Sequence, residues 1–90
     1  MTDRRKINIP THVMFREVGG ETVLLNLDSE TYFGLDDIGT EILRLMRQGA
    51  TIDETVEALL PRWDVEPDVL AADVGELLDQ LAEHQLIVWQ

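Results

Sequence analysis

Apolar and polar positions mix at short intervals through the first third of the chain and then settle into helical spacing. Residues 12–18 and 21–27 are rich in Val, Leu and Phe, and Gly19 with Gly20 between them suits a tight hairpin turn. A third short strand is predicted at residues 31–35, after the turn residues Asp28, Ser29 and Glu30. Pairing the first two strands about the glycines sets Phe15 opposite Leu24 and Met14 opposite Leu25. Both faces of that hairpin are then apolar, so either both are covered or a bulge shifts the register.

From residue 36 onward the apolar positions recur every three or four residues, which predicts three amphipathic helices. Asp36 can cap the first, whose stripe is Ile38, Ile42, Leu45 and Met46, with Gly49 as its stop signal. Thr51 and Glu54 have the spacing of a capping box, and Ile52, Val56, Leu59, Leu60 and Trp63 follow as the stripe of the second. Pro61 interrupts that stripe, so Trp63 is expected to pack from a loop. Pro67 suits the first turn of the third helix, whose apolar residues are Leu70, Val74, Leu77, Leu78 and Leu81. The tail at residues 86–89 is too short for a helix and is expected to dock as an extended segment. The fold class is α+β, a three-stranded antiparallel sheet followed by three helices. Residues 1–90 are expected to form one domain, with residues 1–10 as a flexible N-terminal arm.

The chain has 90 residues, enough for one modest core and too few for a deep active-site cleft. Its 18 Asp and Glu against 7 Lys and Arg give a formal net charge of -11, which repels a polyanion and disfavours nucleic acid. Charge is uneven. Arg4, Arg5 and Lys6 crowd the start, whereas Glu21, Asp28, Glu30, Asp36 and Asp37 occupy residues 21–37 without a base between them. The absence of cysteine removes disulfides, thiolate metal sites and a thiol nucleophile. No segment has membrane-spanning length, and a cytoplasmic protein with no membrane partner is expected.

Candidate chemistry is sparse. His12 and His84 fall in different elements, with no acid at metal-ligand or triad spacing, so surface or packing roles are expected. Asp36 and Asp37 are better read as helix-start residues than as catalytic carboxylates. Asp28 and Ser29 have the look of an acyl-carrier attachment site, yet a strand follows where the carrier serine opens a helix. Gly34 and Gly39 lack phosphate-cradle spacing; Gly34 is better suited to letting another backbone come close to the third strand. The expectation is no catalytic residue, no metal and no cofactor.

The features that remain concern binding. Tyr32 and Phe33 are neighbours on one strand and so project to opposite faces, and only one can join a helix-packed core. If that strand is an edge, its free N–H and C=O groups can pair with an extended peptide. The alternative, that both rings serve only packing, stands level with it on periodicity alone.

An ordered set of residues then resembles the PqqD-like family, over residues 13–89. The set is Leu25, Asn26 and Leu27; Thr31, Tyr32, Phe33, Gly34 and Leu35; Asp36, Asp37, Ile38 and Gly39 with Ile42; Gly49 before Thr51 and Ile52; and Asp73, Val74, Leu77, Leu78, Leu81, Leu86 and Ile87. Asp36 stands where the family often has Asn. The resemblance implies a winged-helix-like domain that recognises the leader of a ribosomally made precursor peptide. It implies no catalysis of its own. The leader would add as a strand along Thr31, Tyr32, Phe33, Gly34 and Leu35, against Val69, Asp73, Val74 and Leu77 of the third helix. Asp73 can accept a hydrogen bond or pair with a leader Lys or Arg. The implied partner is a separate modifying enzyme, a radical SAM enzyme in pyrroloquinoline quinone (PQQ) biosynthesis or a leader protease in lasso-peptide biosynthesis; the reading leans towards the lasso or another peptide pathway.

Two other classes compete with this reading. A winged-helix DNA-binding protein needs a basic recognition helix, whereas residues 66–84 hold Glu66, Asp68, Asp73, Glu76, Asp79 and Glu83 and no base. An acyl-carrier-like or self-associating scaffold is the remaining alternative, since an exposed strand edge can also pair with its own copy to give a homodimer.

Overall fold

The computed structural model describes residues 3–90. In chain order the elements are β1 (Ile7–Asn8), β2 (Val13–Val18), β3 (Glu21–Asn26), β4 (Thr31–Leu35), α1 (Asp37–Arg47), α2 (Ile52–Leu59), a 3-10 turn (Leu60–Arg62), α3 (Pro67–Glu83) and β5 (Val88–Trp89). Strands β2, β3 and β4 form an antiparallel sheet in that order, so β4 is an edge. The α+β architecture expected from the sequence is the one observed.

The hairpin forms because Gly19 and Gly20 sit at φ of 61° and 85°, a left-handed pair that matches the twist of the flanking strands. The register follows: Phe15 opposes Leu24 and Met14 opposes Leu25, with no bulge. Neither way out of the two-apolar-face problem is used. The helices cover only the face that carries Leu24, and Val23 on the opposite face is exposed.

Helix α1 starts at Asp36, whose Oδ1 accepts the Gly39 amide at 2.8 Å. Its inward face differs from the predicted stripe: Gly39, Thr40, Ile42, Leu43 and Met46 are buried, while Ile38 is exposed. Small residues face inward at the start because β4 runs close by. A Cβ on Gly39 would stand 3.1 Å from the Leu35 Cβ. Helix α2 has the predicted capping box, Glu54 N to Thr51 Oγ1 at 3.1 Å and Thr51 N to Glu54 Oε1 at 2.8 Å. Pro61 converts the end of α2 to the 3-10 turn, and Trp63 packs half-buried from the segment beyond it.

One core joins the layers, with Leu24 from β3, Leu35 from β4, Ile42 and Met46 from α1, Ile52 and Leu59 from α2, and Val74, Leu78 and Leu81 from α3. Buried polar groups are paired: Thr22 and Thr40 share a hydroxyl hydrogen bond of 2.7 Å between β3 and α1, and the Thr55 hydroxyl donates to the Thr51 carbonyl at 2.9 Å.

The expected N-terminal arm is tied down from Asp3 onward. Ile7 pairs with Trp89 and Asn8 with Val88, Gln90 N donates to the Lys6 carbonyl at 2.9 Å, and Ile52 N donates to the Arg5 carbonyl at 3.2 Å. Ile7 is buried, and the Arg5 guanidinium lies 4.4 Å from the Trp89 ring centroid. The docked, extended tail was expected; its strand partner was not. Among the described residues no helix is long and apolar enough to cross a membrane.

Candidate functional site

The candidate site lies along the free edge of β4 and the neighbouring face of α3. β4 pairs only with β3, Thr31 opposing Asn26, Phe33 opposing Leu24 and Leu35 opposing Thr22. Among the described residues no strand lies beside its other edge. Apart from Gly34 and its chain neighbours, no atom of the described residues lies within 4 Å of where a Cβ on Gly34 would be, so the outer face of the sheet is open over that residue.

Alternation sorts the two aromatics as expected. Tyr32 is 70% exposed on the sheet face away from the helices, while Phe33 is half-buried against the core. Leu35 is buried and anchors the end of the strand rather than lining an open surface.

Helix α3 packs closely on α2. Val69, Asp73 and Leu77 recur every four residues and share one side of the helix. Val69 and Asp73 are exposed and Leu77 is half-buried. Val74, named with them from sequence, has no exposed surface and belongs to the core, because rotation of α3 is fixed by its packing on α2. In this structure it offers no surface to an incoming peptide.

Two residues outside the predicted site set shape this region. The His84 ring meets Phe33 edge-on, with centroids 5.6 Å apart and planes at 62°, closing the gap between β4 and the end of α3. Its Nδ1 lies 2.8 Å from the Gln80 carbonyl oxygen. The signal was its spacing: His84 lies seven residues past Leu77 and eleven past Asp73, two and three helical turns along the same side.

Asn26 is the second. Its buried amide donates to the Gln85 carbonyl at 3.0 Å, and its Oδ1 accepts the amides of Asp28 at 2.9 Å and Ser29 at 3.1 Å. The turn leading into β4 is thereby pinned to the exit of α3. Gln85 adopts φ of 60°, which turns its carbonyl to the amide. Ser29 sits in that turn, its hydroxyl donating to Thr31 Oγ1 at 2.9 Å, and opens no helix as a carrier serine does.

Helix α3 as a whole is acidic. Asp68, Asp73, Glu76, Asp79 and Glu83 make no ion pair among the described residues, whose pairs fall elsewhere: Asp3 with Arg5, Glu17 with Arg44 and Arg47, and Glu41 with Arg44 and Arg62. Among the described residues no group of three His, Cys, Asp or Glu side chains converges to hold a metal ion. What the arrangement offers is backbone pairing, a half-buried apolar strip of Phe33 and Leu77, and an unpaired carboxylate at Asp73.

Comparison with known proteins bears on this geometry. The model of the family described as coenzyme PQQ synthesis protein D (PqqD) matches residues 21–87. The solved structure of TbiB1 in complex with the TbiA(beta) leader peptide superposes with a TM-score of 0.82 at 33% identity, covering 88% of this chain and 92% of that one. Lasso peptide synthetase B1 complexed with the leader peptide superposes with a TM-score of 0.86 at 19% identity, covering 92% and 98%, a likeness of fold. No curated protein gives a significant match.

Proposed function

The chain belongs to the PqqD family, and from that premise we propose that it binds the leader of a ribosomally made precursor peptide and presents it to a separate modifying enzyme. The observation that carries the proposal is the open edge of β4 beside the Val69, Asp73 and Leu77 side of α3. An extended leader adds as a fourth strand, its backbone satisfied by the edge groups of β4. Alternate side chains then enter the strip formed by Phe33 and Leu77, and a basic leader residue meets Asp73.

The chain does no chemistry of its own in this reading. It raises the local concentration of the precursor at the enzyme, an effect that reaches millimolar for a short flexible connection. We take the pathway to be a lasso-peptide one, with a leader protease as the enzyme, rather than PQQ biosynthesis with a radical SAM enzyme; this draws on the 33% identical structure solved with a leader peptide and on the neighbour of like fold that is a lasso peptide synthetase B1.

Titration of the purified chain with the leader peptides encoded beside its gene, followed by amide NMR, tests the proposal. Saturable binding with the largest shifts at residues 31–35 and at Val69, Asp73 and Leu77 is expected. Absence of binding to any of those leaders would sink it.

A further inference from the structure

The face of the β2–β3–β4 sheet turned away from the helices is uncovered and apolar. Register places Met14, Leu25 and Tyr32 in one row across it, and Arg16, Val23 and Gly34 in the next. Met14 is 58% exposed, Val18 65% and Val23 50%, although a sheet with one wet face normally shows polar side chains there. Two shallow depressions of about 430 and 290 Å³ lie on the sheet, and Arg16 and Val23 line both. Contiguous exposed apolar surface of this kind marks a protein interface.

Arg16 indicates what covers it. Arg5, Arg44, Arg47 and Arg62 each have a carboxylate within 4.0 Å, whereas Arg16, like Arg4 and Lys6 of the N-terminal segment, has none among the described residues; of these three, Arg16 is the one on the sheet. Glu21 and Asp36 line one of its depressions without reaching it. In a chain of net charge -11, an exposed, unpaired guanidinium among apolar neighbours complements a carboxylate on an incoming surface. A second copy fits less well, since two chains of that charge repel.

We propose that this face docks the separate modifying enzyme, through an apolar patch on that enzyme bearing a carboxylate that pairs with Arg16. The assignment rests on the reading that the leader occupies the β4 edge and α3. It gives the two partners different surfaces of one sheet, the edge for the leader and the outer face for the enzyme. Tyr32 stands at the boundary, its backbone on the edge and its side chain on the face.

The test uses the purified modifying enzyme whose gene adjoins that of this chain, titrated without precursor into the wild-type chain and into Arg16→Glu and Val23→Lys, with the leader titrated into each in parallel. Both positions are exposed, so thermal melts should match the wild type. Arg16→Glu is expected to weaken enzyme binding at least tenfold and to remove its salt dependence, Val23→Lys to weaken it comparably, and both to leave leader affinity within twofold. Enzyme binding absent in the wild type, or unchanged in both variants, overturns the proposal. So does a dimer, seen by sedimentation, that Arg16→Glu dissolves, since the face then belongs to a second copy. A wild-type chain that binds enzyme through Arg16 but binds no leader would instead refute leader recognition and leave the docking face standing.

Discussion

The Asn26 side chain, buried in the turn between β3 and β4, donates to the Gln85 carbonyl 3.0 Å away at the exit of α3. One amide thus sets the distance between the strand and the helix that form the candidate groove. Asn26→Ala leaves the Gln85 carbonyl and the Asp28 and Ser29 amides without that partner, each loss costing about 1–3 kcal/mol where the group stays buried. Urea denaturation should show a clear loss of stability, and leader affinity should fall in conditions where the variant is still folded. Asn26→Asp keeps the acceptor and loses only the donor, so it should retain the turn and lose the link to Gln85.

Core and groove residues of α3 should separate in paired measurements. Val74→Ala removes two buried methyl groups and is expected to cost about 2 kcal/mol of stability, with leader affinity little changed once the folded fraction is accounted for. Leu77→Asp places a charge on the half-buried strip and should weaken leader binding far more than it lowers the melting temperature.

Backbone pairing at β4 has its own signature. Replacing single leader amides by N-methyl amides should weaken binding only at alternate positions, because only every second residue of an added strand directs its groups towards the neighbour. Equal sensitivity at every position, or none at all, measured by calorimetry, would exclude strand addition.

Acid should loosen the structure through three carboxylates. Hydrogen bonding to Arg44 holds Glu17 below the usual carboxylate range, the Thr51 amide does the same for Glu54 in the capping box, and Arg5 does so for Asp3. Each has a folded-state pKa lower than its unfolded one. Their contribution is therefore complete above the ordinary carboxylate pKa and is lost as pH falls through the lowered values. Glu17→Gln should flatten the acid limb of a stability profile measured by chemical denaturation.

Much of this was legible in the chain. Gly19 and Gly20 fix a two-residue turn, and a two-residue turn fixes every pair along the hairpin, which is why Phe15 opposite Leu24 could be read directly. Thr51 and Glu54 satisfy each other locally, so their capping box needed no tertiary information. The buried side of α1 did. Ile38 faces outward and Gly39 inward because Leu35 approaches too closely for a side chain, a distance no periodicity encodes. The same limit hid the division between Val74 and Leu77, since both lie on the apolar side of α3 and only its packing on α2 decides which one is covered. Strands of two residues, such as β1 and β5, carry no alternation to detect.

Removing residues 1–9 tests the ribbon that sequence did not reveal. Burial of Ile7 alone is worth about 1.5–3 kcal/mol, and the hydrogen bonds to Gln90 and Ile52 are lost with it. A lowered denaturation midpoint, with Trp89 fluorescence shifted to the red, is expected; an unchanged midpoint would mean that the segment adds nothing to the fold.

Because Ile7 lies beside Trp89, the backbone enters and leaves the fold at one place, in a two-stranded ribbon separate from the sheet that holds β4. A unit built this way can be spliced into a surface loop of a host protein, the two junctions closing on neighbouring residues with little distortion of the host. The free strand edge of β4 belongs to neither junction, so a graft of this kind leaves it open.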